Sequence, residues 1–411
     1  YASGDNSIAL GSFTTASGQS ATAMGNITIA SGFVSTALGY QSYASGDYSS
    51  TMGFQTEANQ IYATAMGRQT LASGDNATAI GYLSTASGLR STAMGYNTVA
   101  SGENATTFGY LSDASGYTSI AAGTQSIASG SYATAIGNNA EANYTYAVAI
   151  GNSVLSSGNA SVAMGTNTTA SGAEAFAMGN ANTATGGRSV ALGYQNNVTS
   201  DYSFAMGNNV EVSSFAASAI GYNLINDDTR SMVIGQNNDN TTTATSLFMI
   251  GNGGSTSSRS NAFTVFQNGN ATLAGALTQN SDRRLKQEIN ELDYGLNEIM
   301  KLKPVSYHWK KHLGQPKSLG LIAQEVQPII NEIVHVGEDK DNTLSVSYTE
   351  LIPVLIKAIQ EQQVIIESQK LTINNQEQAS TEQSALLQAL LDRVEALEKR
   401  SVTSDFKLVK N

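Results

Sequence analysis

A glycine recurs every fourteen residues from Gly11 to Gly235, and no insertion or deletion interrupts this spacing. Each of these seventeen glycines normally follows an alanine and one large apolar residue, as in Ala93-Met94-Gly95. A fixed period this short is typical of solenoids, in which each turn buries its apolar side chains against the neighbouring turns. The spacing therefore predicts one stacked coil, and not a globule, over the first 235 residues.

Within a turn, large and small residues alternate as they do along a β-strand. The large residue before each glycine alternates with a nearly constant alanine, which is the two-residue period of a strand. An Ala-Ser-Gly motif half a turn later, at 16–18 and 30–32 for example, predicts a second short strand and a corner in which glycine takes a positive φ. We expect two strands and two corners per turn, with the large residue enclosed and the alanine face free for close approach.

A coil this thin is expected to be marginal by itself. Each turn encloses about one large apolar side chain, which does not offset the ordering of fourteen residues at roughly 1–2 kcal/mol each for the backbone. Small side chains at every turn allow neighbouring chains to approach closely, so we infer a closed homo-oligomer in which the alanine faces meet. With successive strands about 4.8 Å apart, the seventeen turns form a rod of about 80 Å.

The repeat Asn-Ser-Ile-Ala-Leu-Gly at residues 6–11, with its successors, resembles the head repeats of YadA-type trimeric autotransporter adhesins. The resemblance covers residues 1–251 and implies a mainly β chain that folds as a trimeric left-handed parallel β-roll. It also implies an extracellular location and attachment to a host-surface receptor or glycan.

Composition narrows the possible partners. The chain has no cysteine, which excludes disulfides and thiolate metal sites, and we expect neither a metal nor a cofactor. The net charge is −11 and no lysine precedes Lys286, which argues against nucleic acid or an anionic membrane as partner. No apolar run reaches the length of a membrane span, and the chain starts at Tyr1 like a fragment or a mature segment.

The repeat ends after Gly235, because the next apolar-glycine step comes sixteen residues later at Gly251. Short apolar runs on both sides of Asn268-Gly269 predict a hairpin in a neck that covers 252–279.

The composition then changes, since all four prolines and the only tryptophan lie beyond Lys286. Residues 280–350 are predicted to form a small α+β domain with short helices and strands.

A heptad repeat covers residues 351–400, ahead of a tail at 401–411. Its successive a and d positions keep one register: Ile352, Leu355, Ile359, Gln362, Ile366, Gln369, Ile373, Gln376, Ser380, Gln383, Leu387, Leu390, Val394 and Leu397. This pattern is typical of a coiled coil, and glutamine layers fix the register at some loss of stability. A three-stranded coil matches the symmetry inferred for the solenoid.

Three motifs in the C-terminal part resemble the intramolecular chaperone of endosialidase-type phage tailspikes. They are Ser-Asp-Arg-Arg-Leu-Lys at 281–286, Gly-Leu-Ile-Ala-Gln-Glu-Val at 320–326, and Val-Ser-Tyr at 346–348 with the heptad repeat after it. The resemblance spans about 280–400 and implies a domain that trimerises the chain, assists folding of the fibre, and cleaves itself off with a serine–lysine dyad. Carried over here, Ser281 is the nucleophile, Lys286 the base, and Asn280-Ser281 the scissile bond.

A lysine acts as a base in such a dyad only when its pKa falls well below about 10.4. Arg283 and Arg284 are candidates for that effect through charge repulsion, and His308 and His312 for orienting nearby groups. The reaction is a single turnover in cis, because nucleophile and scissile carbonyl are on adjacent residues, and we expect no other enzymatic activity. The spacing alone is also compatible with an exposed serine and an ordinary surface lysine, and the histidines with packing beside Trp309.

Aromatic residues follow several repeat glycines, and Tyr82, Tyr96 and Tyr110 do so on three consecutive turns. They predict outward rows that either form a receptor or glycan surface or stabilise the solenoid by stacking.

Two functions remain open. In the first, the chain is a trimeric attachment fibre, which is either a phage tail fibre or an adhesin, and its chaperone domain removes itself. In the second, the chain is a passive spacer whose self-cleaving domain releases a binding or enzymatic domain N-terminal to Tyr1.

Overall fold

The computed structural model describes residues 1–241, 244–310 and 316–408, with side chains up to residue 400. It divides into two compact units, Tyr1–Thr278 and Gln279–Asn411. Within the described ranges, none of the helices combines the length and the apolar character that crossing a membrane requires.

The first unit is a β-solenoid in which each turn has one long and one short strand. The long strands are Ile8–Ser12, Thr22–Asn26, Thr36–Tyr40, Ser50–Phe54, Thr64–Arg68, Thr78–Tyr82, Thr92–Tyr96, Thr106–Tyr110, Ile120–Thr124, Thr134–Ala142, Val148–Ser156, Val162–Thr166, Phe176–Asn180, Val190–Tyr194, Phe204–Asn208, Ser218–Tyr222 and Met232–Gln236. The short strands are Thr15–Ala16, Ile29–Ala30, Tyr43–Ala44, Glu57–Ala58, Leu71–Ala72, Thr85–Ala86, Val99–Ala100, Asp113–Ala114, Ile127–Ala128, Thr169–Ala170, Thr183–Ala184, Asn197–Val198, Glu211–Val212 and Ile225–Asn226. In the two nine-residue strands, the long and short segments of a turn are joined.

Strands pair in parallel with a register of fourteen residues. Ala79 lies against Ala93 and Gly81 against Gly95, so equal positions of the repeat stack along the coil. The short strands stack on each other in the same way. The stacked coil that the glycine spacing predicts is therefore confirmed.

The interior of the coil holds the alanines, and the large residues point outward. Ala86 and Ala93, from the two kinds of strand, are fully buried, whereas Leu10 is 54% exposed and Met52 48%. The prediction that the coil encloses the large residue and offers alanine to its neighbours was wrong. A turn of fourteen residues holds its two sheets so close together that alanine, serine and threonine fill most of the space between them. We call the outward residues before the repeat glycines, from Leu10 to Ile234, the apolar row.

The corners of the coil depend on residues with positive φ. Gly95 has φ +138°, and a Cβ on it would lie 2.1 Å from the carbonyl oxygen of Gly109 on the next turn. A non-glycine residue also adopts the left-handed conformation every seventh position, as Arg90 does with φ 55°. The glycine of the Ala-Ser-Gly motif was wrongly predicted to have a positive φ. Gly88 is needed there because a Cβ would lie 2.0 Å from the carbonyl oxygen of Gly102.

The solenoid ends in a three-stranded neck. Its strands are Ser246–Asn252, Asn261–Phe266 and Ala271–Leu273. The first pairs in parallel with the last long strand of the solenoid and antiparallel with the second, which pairs with the third. Arg259 donates hydrogen bonds to the carbonyl oxygens of Asn223 and Asn238 at 2.8 and 3.1 Å, which satisfies backbone groups at the end of the coil. The predicted hairpin is confirmed, with Gly269 at φ +84°.

The second unit is a small α+β fold around the start of one long helix. Its elements are a 3-10 turn at Arg283–Leu285, a helix at Leu296–Ile299, strands Val305–Tyr307 and Ser318–Gly320, a helix at Ala323–Val326, a 3-10 turn at Asn331–Ile333, strands Val334–Val336 and Leu344–Val346, and the long helix Leu351–Leu408. The strands form two antiparallel pairs. Val326, Ile330, Ile333 and Val354 are buried at the centre of this unit.

The long helix uses one face for its own unit and leaves the heptad face uncovered. Leu351, Val354 and Ala358 are buried against the small domain. The a positions beside them are not, since Ile352 is 52% and Ile359 64% exposed. From residue 362 to residue 400 every side chain is exposed. A long helix is therefore confirmed over the heptad repeat, whereas the three-stranded coiled coil stays a prediction.

Candidate functional site

Ser281 and Lys286 lie in contact in the second unit. The Lys286 ammonium donates a hydrogen bond from Nζ to Ser281 Oγ at 2.8 Å. Both side chains are exposed, and so is Asn280, whose carbonyl forms the bond to the Ser281 nitrogen. A serine hydroxyl within hydrogen-bond distance of an amine is the starting geometry for general-base activation of the hydroxyl.

A short turn brings these two side chains together. Residues Arg283–Leu285 form the 3-10 turn, and the Asp282 carboxylate caps it by accepting the Arg284 backbone N–H at 2.9 Å. The Lys286 N–H donates to the Arg283 carbonyl oxygen at 3.1 Å. The sequence reasoning assigned no role to Asp282, although aspartate directly before a turn is a common capping residue and was the available signal.

Arg284 contacts the neighbouring carboxylate. Its Nη2 lies 2.6 Å from Asp282 Oδ2, and its Nε lies 3.1 Å from both carboxylate oxygens. This side-chain hydrogen bond lowers the pKa of Asp282 and raises the pKa of Arg284. Arg283 is exposed and begins the turn. The charge of Arg284 is therefore directed at Asp282, whereas the sequence suggested repulsion of the lysine.

The two histidine candidates lie later in the unit. His308 is exposed and directly follows the strand Val305–Tyr307, next to Trp309. The Trp309 ring packs edge-on against Tyr307 with centroids 5.3 Å apart. His312 lies outside the described residues. A role for His308 at the dyad stays a prediction.

An apolar groove of about 540 Å³ opens beside the start of the long helix. Its lining includes Ile299, Leu302, Val305, Leu319, Tyr348 and Leu355. Leu355 is also a d position of the heptad, so the groove is continuous with the uncovered face of the helix. A continuous exposed apolar surface is typical of sites where another protein chain binds.

A ladder of stacked side chains follows the repeat glycines on the solenoid surface. This aromatic ladder consists of Tyr40, Phe54, Arg68, Tyr82, Tyr96 and Tyr110 on six consecutive turns. The rings of Tyr82, Tyr96 and Tyr110 stack with centroids 5.0 and 4.9 Å apart. Arg68, which the sequence reasoning missed, lies between two aromatic rings at 5.2 and 5.5 Å. The register of fourteen was the signal that places it in the row.

Two known families match segments of the chain. The YadA head domain repeat, as a model of two copies, matches residues 2–26, 30–56, 58–84, 86–112, 114–140, 128–153, 156–182 and 184–209. The family described as chaperone of endosialidase matches residues 281–335. The first part of the chain is thus similar to the YadA head repeats, and residues 281–335 are similar to the endosialidase chaperone family. None of the curated proteins compared with the chain matches it.

Both resemblances predicted from the motifs are therefore confirmed. The matches to the YadA head repeats end at residue 209, but the solenoid continues with the same register to Gln236. The match to the endosialidase chaperone segment begins at Ser281, the residue whose hydroxyl contacts Lys286.

Proposed function

We propose that the chain is a trimeric extracellular fibre, at a virion tail or a bacterial surface, whose second unit assembles three chains, assists their folding and then cuts itself off. The YadA head repeats supply the fibre, and the endosialidase chaperone segment supplies assembly and cleavage. The observation that carries the cleavage is the 2.8 Å contact between Lys286 Nζ and Ser281 Oγ, next to the bond between Asn280 and Ser281.

Cleavage follows from the chemistry of these neighbours. The neutral amine of Lys286 takes the proton of the Ser281 hydroxyl, and Oγ attacks the carbonyl carbon of Asn280. The peptide C–N bond breaks, the Ser281 nitrogen takes the proton from Lys286, and the Asn280 acyl group remains as an ester on Oγ. Water then hydrolyses the ester to a carboxylate at Asn280 and a free amine and hydroxyl at Ser281. Because the nucleophile and the carbonyl carbon belong to adjacent residues, the reaction does not require two molecules to meet.

Trimer formation is supported by apolar surface that one chain leaves in water. The apolar row follows the solenoid for seventeen turns, and the heptad positions follow the long helix. Burying such surface between chains contributes about 25 cal/mol per Å² to the free energy of association. A closed threefold arrangement covers both surfaces in the same assembly.

Substitution of Ile366 and Ile373 by aspartate is expected to abolish the trimer. Both are a positions, so three copies would place six carboxylates in the centre of the coil. The matched control is Val364→Asp with Leu371→Asp, because these residues are equally apolar and lie on the opposite, f side of the same helix. All variants carry Ser281→Ala to keep the chain in one piece, and light scattering measures the mass. A folded monomer of 42.9 kDa for the chain that carries Ser281→Ala alone would contradict the trimer.

The aromatic ladder is the proposed attachment surface. Its rings stack along the coil, and Tyr40, Tyr96 and Tyr110 remain exposed, Tyr96 by 44%. We expect the full chain to bind host-type glycans or cell surfaces in an array, and Tyr96→Ser to weaken that binding about tenfold without changing the trimer mass, since one aromatic contact is worth about 1 kcal/mol or more. Tyr144→Ser, the same substitution at an exposed tyrosine outside the ladder, is the control. A loss of trimer mass in Tyr96→Ser would instead assign the ladder to chain contacts.

The stacking itself favours the second function, a passive spacer. The ladder side chains pack against each other along the solenoid, and such packing would also be expected in a rod whose only requirement is stiffness. The same array decides between the two functions. A wild-type trimer that binds nothing across glycans and cell surfaces would leave the spacer with a self-cleaving release domain.

A further inference from the structure

The dyad in this chain is built by local contacts. None of the residues of the 3-10 turn is buried, and residues 279–293 are exposed throughout. Five residues of extended chain span about 16–18 Å, which is far beyond the 2.8 Å contact between Ser281 Oγ and Lys286 Nζ. Something within the segment must therefore hold the turn that brings the lysine back to the serine.

Asp282 supplies that restraint. Its Oδ1 accepts the Arg284 N–H at 2.9 Å, and its carbonyl oxygen accepts the Leu285 N–H at 3.0 Å. Together these bonds fix the first residues of the turn from both the side chain and the backbone. Removing a cap of this kind weakens a turn that no packed core supports.

The same carboxylate creates an electrostatic problem for cleavage. A negative charge next to the dyad stabilises the protonated form of a nearby lysine, whereas the proposed reaction requires the neutral amine. Arg284 offsets this charge, because its guanidinium contacts both carboxylate oxygens. The lowered pKa of Asp282 and the raised pKa of Arg284 have this hydrogen bond as their main cause.

We propose that Asp282 and Arg284 are positioning residues of the cleavage reaction: Asp282 holds the turn that brings Lys286 to Ser281, and Arg284 neutralises Asp282 so that the lysine can release its proton. This inference rests on the proposed autocleavage. It differs from direct repulsion between Arg284 and Lys286, because here the effect of Arg284 requires the carboxylate of Asp282.

A double-mutant cycle measures this dependence. Full chains are made by cell-free translation, and cleavage is followed on gels from pH 6 to pH 10. Arg284→Ala is expected to move the midpoint of the pH–rate profile upward by about half a unit to one unit, because the unpaired carboxylate then favours the protonated lysine. Asp282→Asn with Arg284→Ala should return to the midpoint of Asp282→Asn alone, since asparagine caps a turn without charge. Lys340→Ala is the control for loss of a surface cation.

The turn is tested by comparing Asp282→Ala with Asp282→Asn. Both remove the charge, but only asparagine can still cap, so Asp282→Ala should cleave at least tenfold more slowly at every pH and Asp282→Asn should not. An unchanged rate in Asp282→Ala, or an Arg284→Ala shift that persists in the double variant, would overturn the proposal.

An independent probe separates this proposal from the cleavage reaction itself. The chain has no cysteine, so Ser281→Cys introduces a single thiol whose alkylation can be followed against pH. A nearby ammonium lowers a thiol pKa below about 8.5. We expect that lowering in Ser281→Cys/Asp282→Asn and its loss in Ser281→Cys/Asp282→Ala. An uncleaved wild type would refute the autocleavage, whereas equal thiol titration in these two variants would refute the positioning role.

Discussion

The wild-type chain is expected to separate on a denaturing gel into residues 1–280 and residues 281–411, whereas Ser281→Ala and Lys286→Ala should each leave one full-length band. The first variant removes the proposed nucleophile, and the second leaves the hydroxyl without the amine that contacts it at 2.8 Å. Loss of a general base alone lowers a rate by about 10²–10⁴, which on a gel is complete loss of cleavage. Mass spectrometry should find that the C-terminal piece begins at Ser281.

Two matched substitutions separate this chemistry from damage to the unit. Ser345→Ala and Lys340→Ala remove an exposed serine and an exposed lysine of the same unit, and both should cleave like the wild type. Persistent cleavage in both dyad variants would reject the dyad. A cut at any bond other than Asn280-Ser281 would reject the assigned position.

Gly95→Ala is expected to destabilise the solenoid by several kcal/mol, on the order of 3–5 kcal/mol. The added Cβ would lie 2.1 Å from the carbonyl oxygen of Gly109, and Gly95 has φ +138°, which an L side chain rarely adopts. The blocking atom belongs to the paired backbone of the next turn, so it cannot move without breaking the strand register. Denaturant unfolding followed by circular dichroism measures the loss.

Gly254→Ala is the control within the same unit. No heavy atom lies within 4 Å of a Cβ at this position, and the backbone is outside the positive-φ region. We expect a change within about 0.5 kcal/mol. Equal unfolding midpoints for the two alanine variants would mean that the close stacking of glycine on glycine does not control stability.

The candidate site was predictable as far as its chemistry is local. The motif at 281–286 identified Ser281 and Lys286 through a family resemblance, and their contact forms within six residues. The roles of Asp282 and Arg284 were not predictable from spacing, because an arginine near a dyad can pair with the acid or repel the base. The geometry of the turn decides between these, since it points the guanidinium at the carboxylate.

Sequence patterns were enough to predict the period of fourteen, the two strands per turn, the neck hairpin around Gly269 and a long helix with one heptad register. These features depend on residues that are close in the sequence, so the spacing of apolar and glycine residues is enough to predict them. The side of each strand that faces the interior became clear only from the packing of the two sheets. A two-residue alternation defines two faces of a strand but does not say which of them faces the core. The narrow gap between the sheets is filled mainly by alanine, serine and threonine, and larger residues such as Leu224 enter it in only a few turns. The alanines such as Ala93 therefore fill the coil, and the apolar row lies outside for other chains to cover.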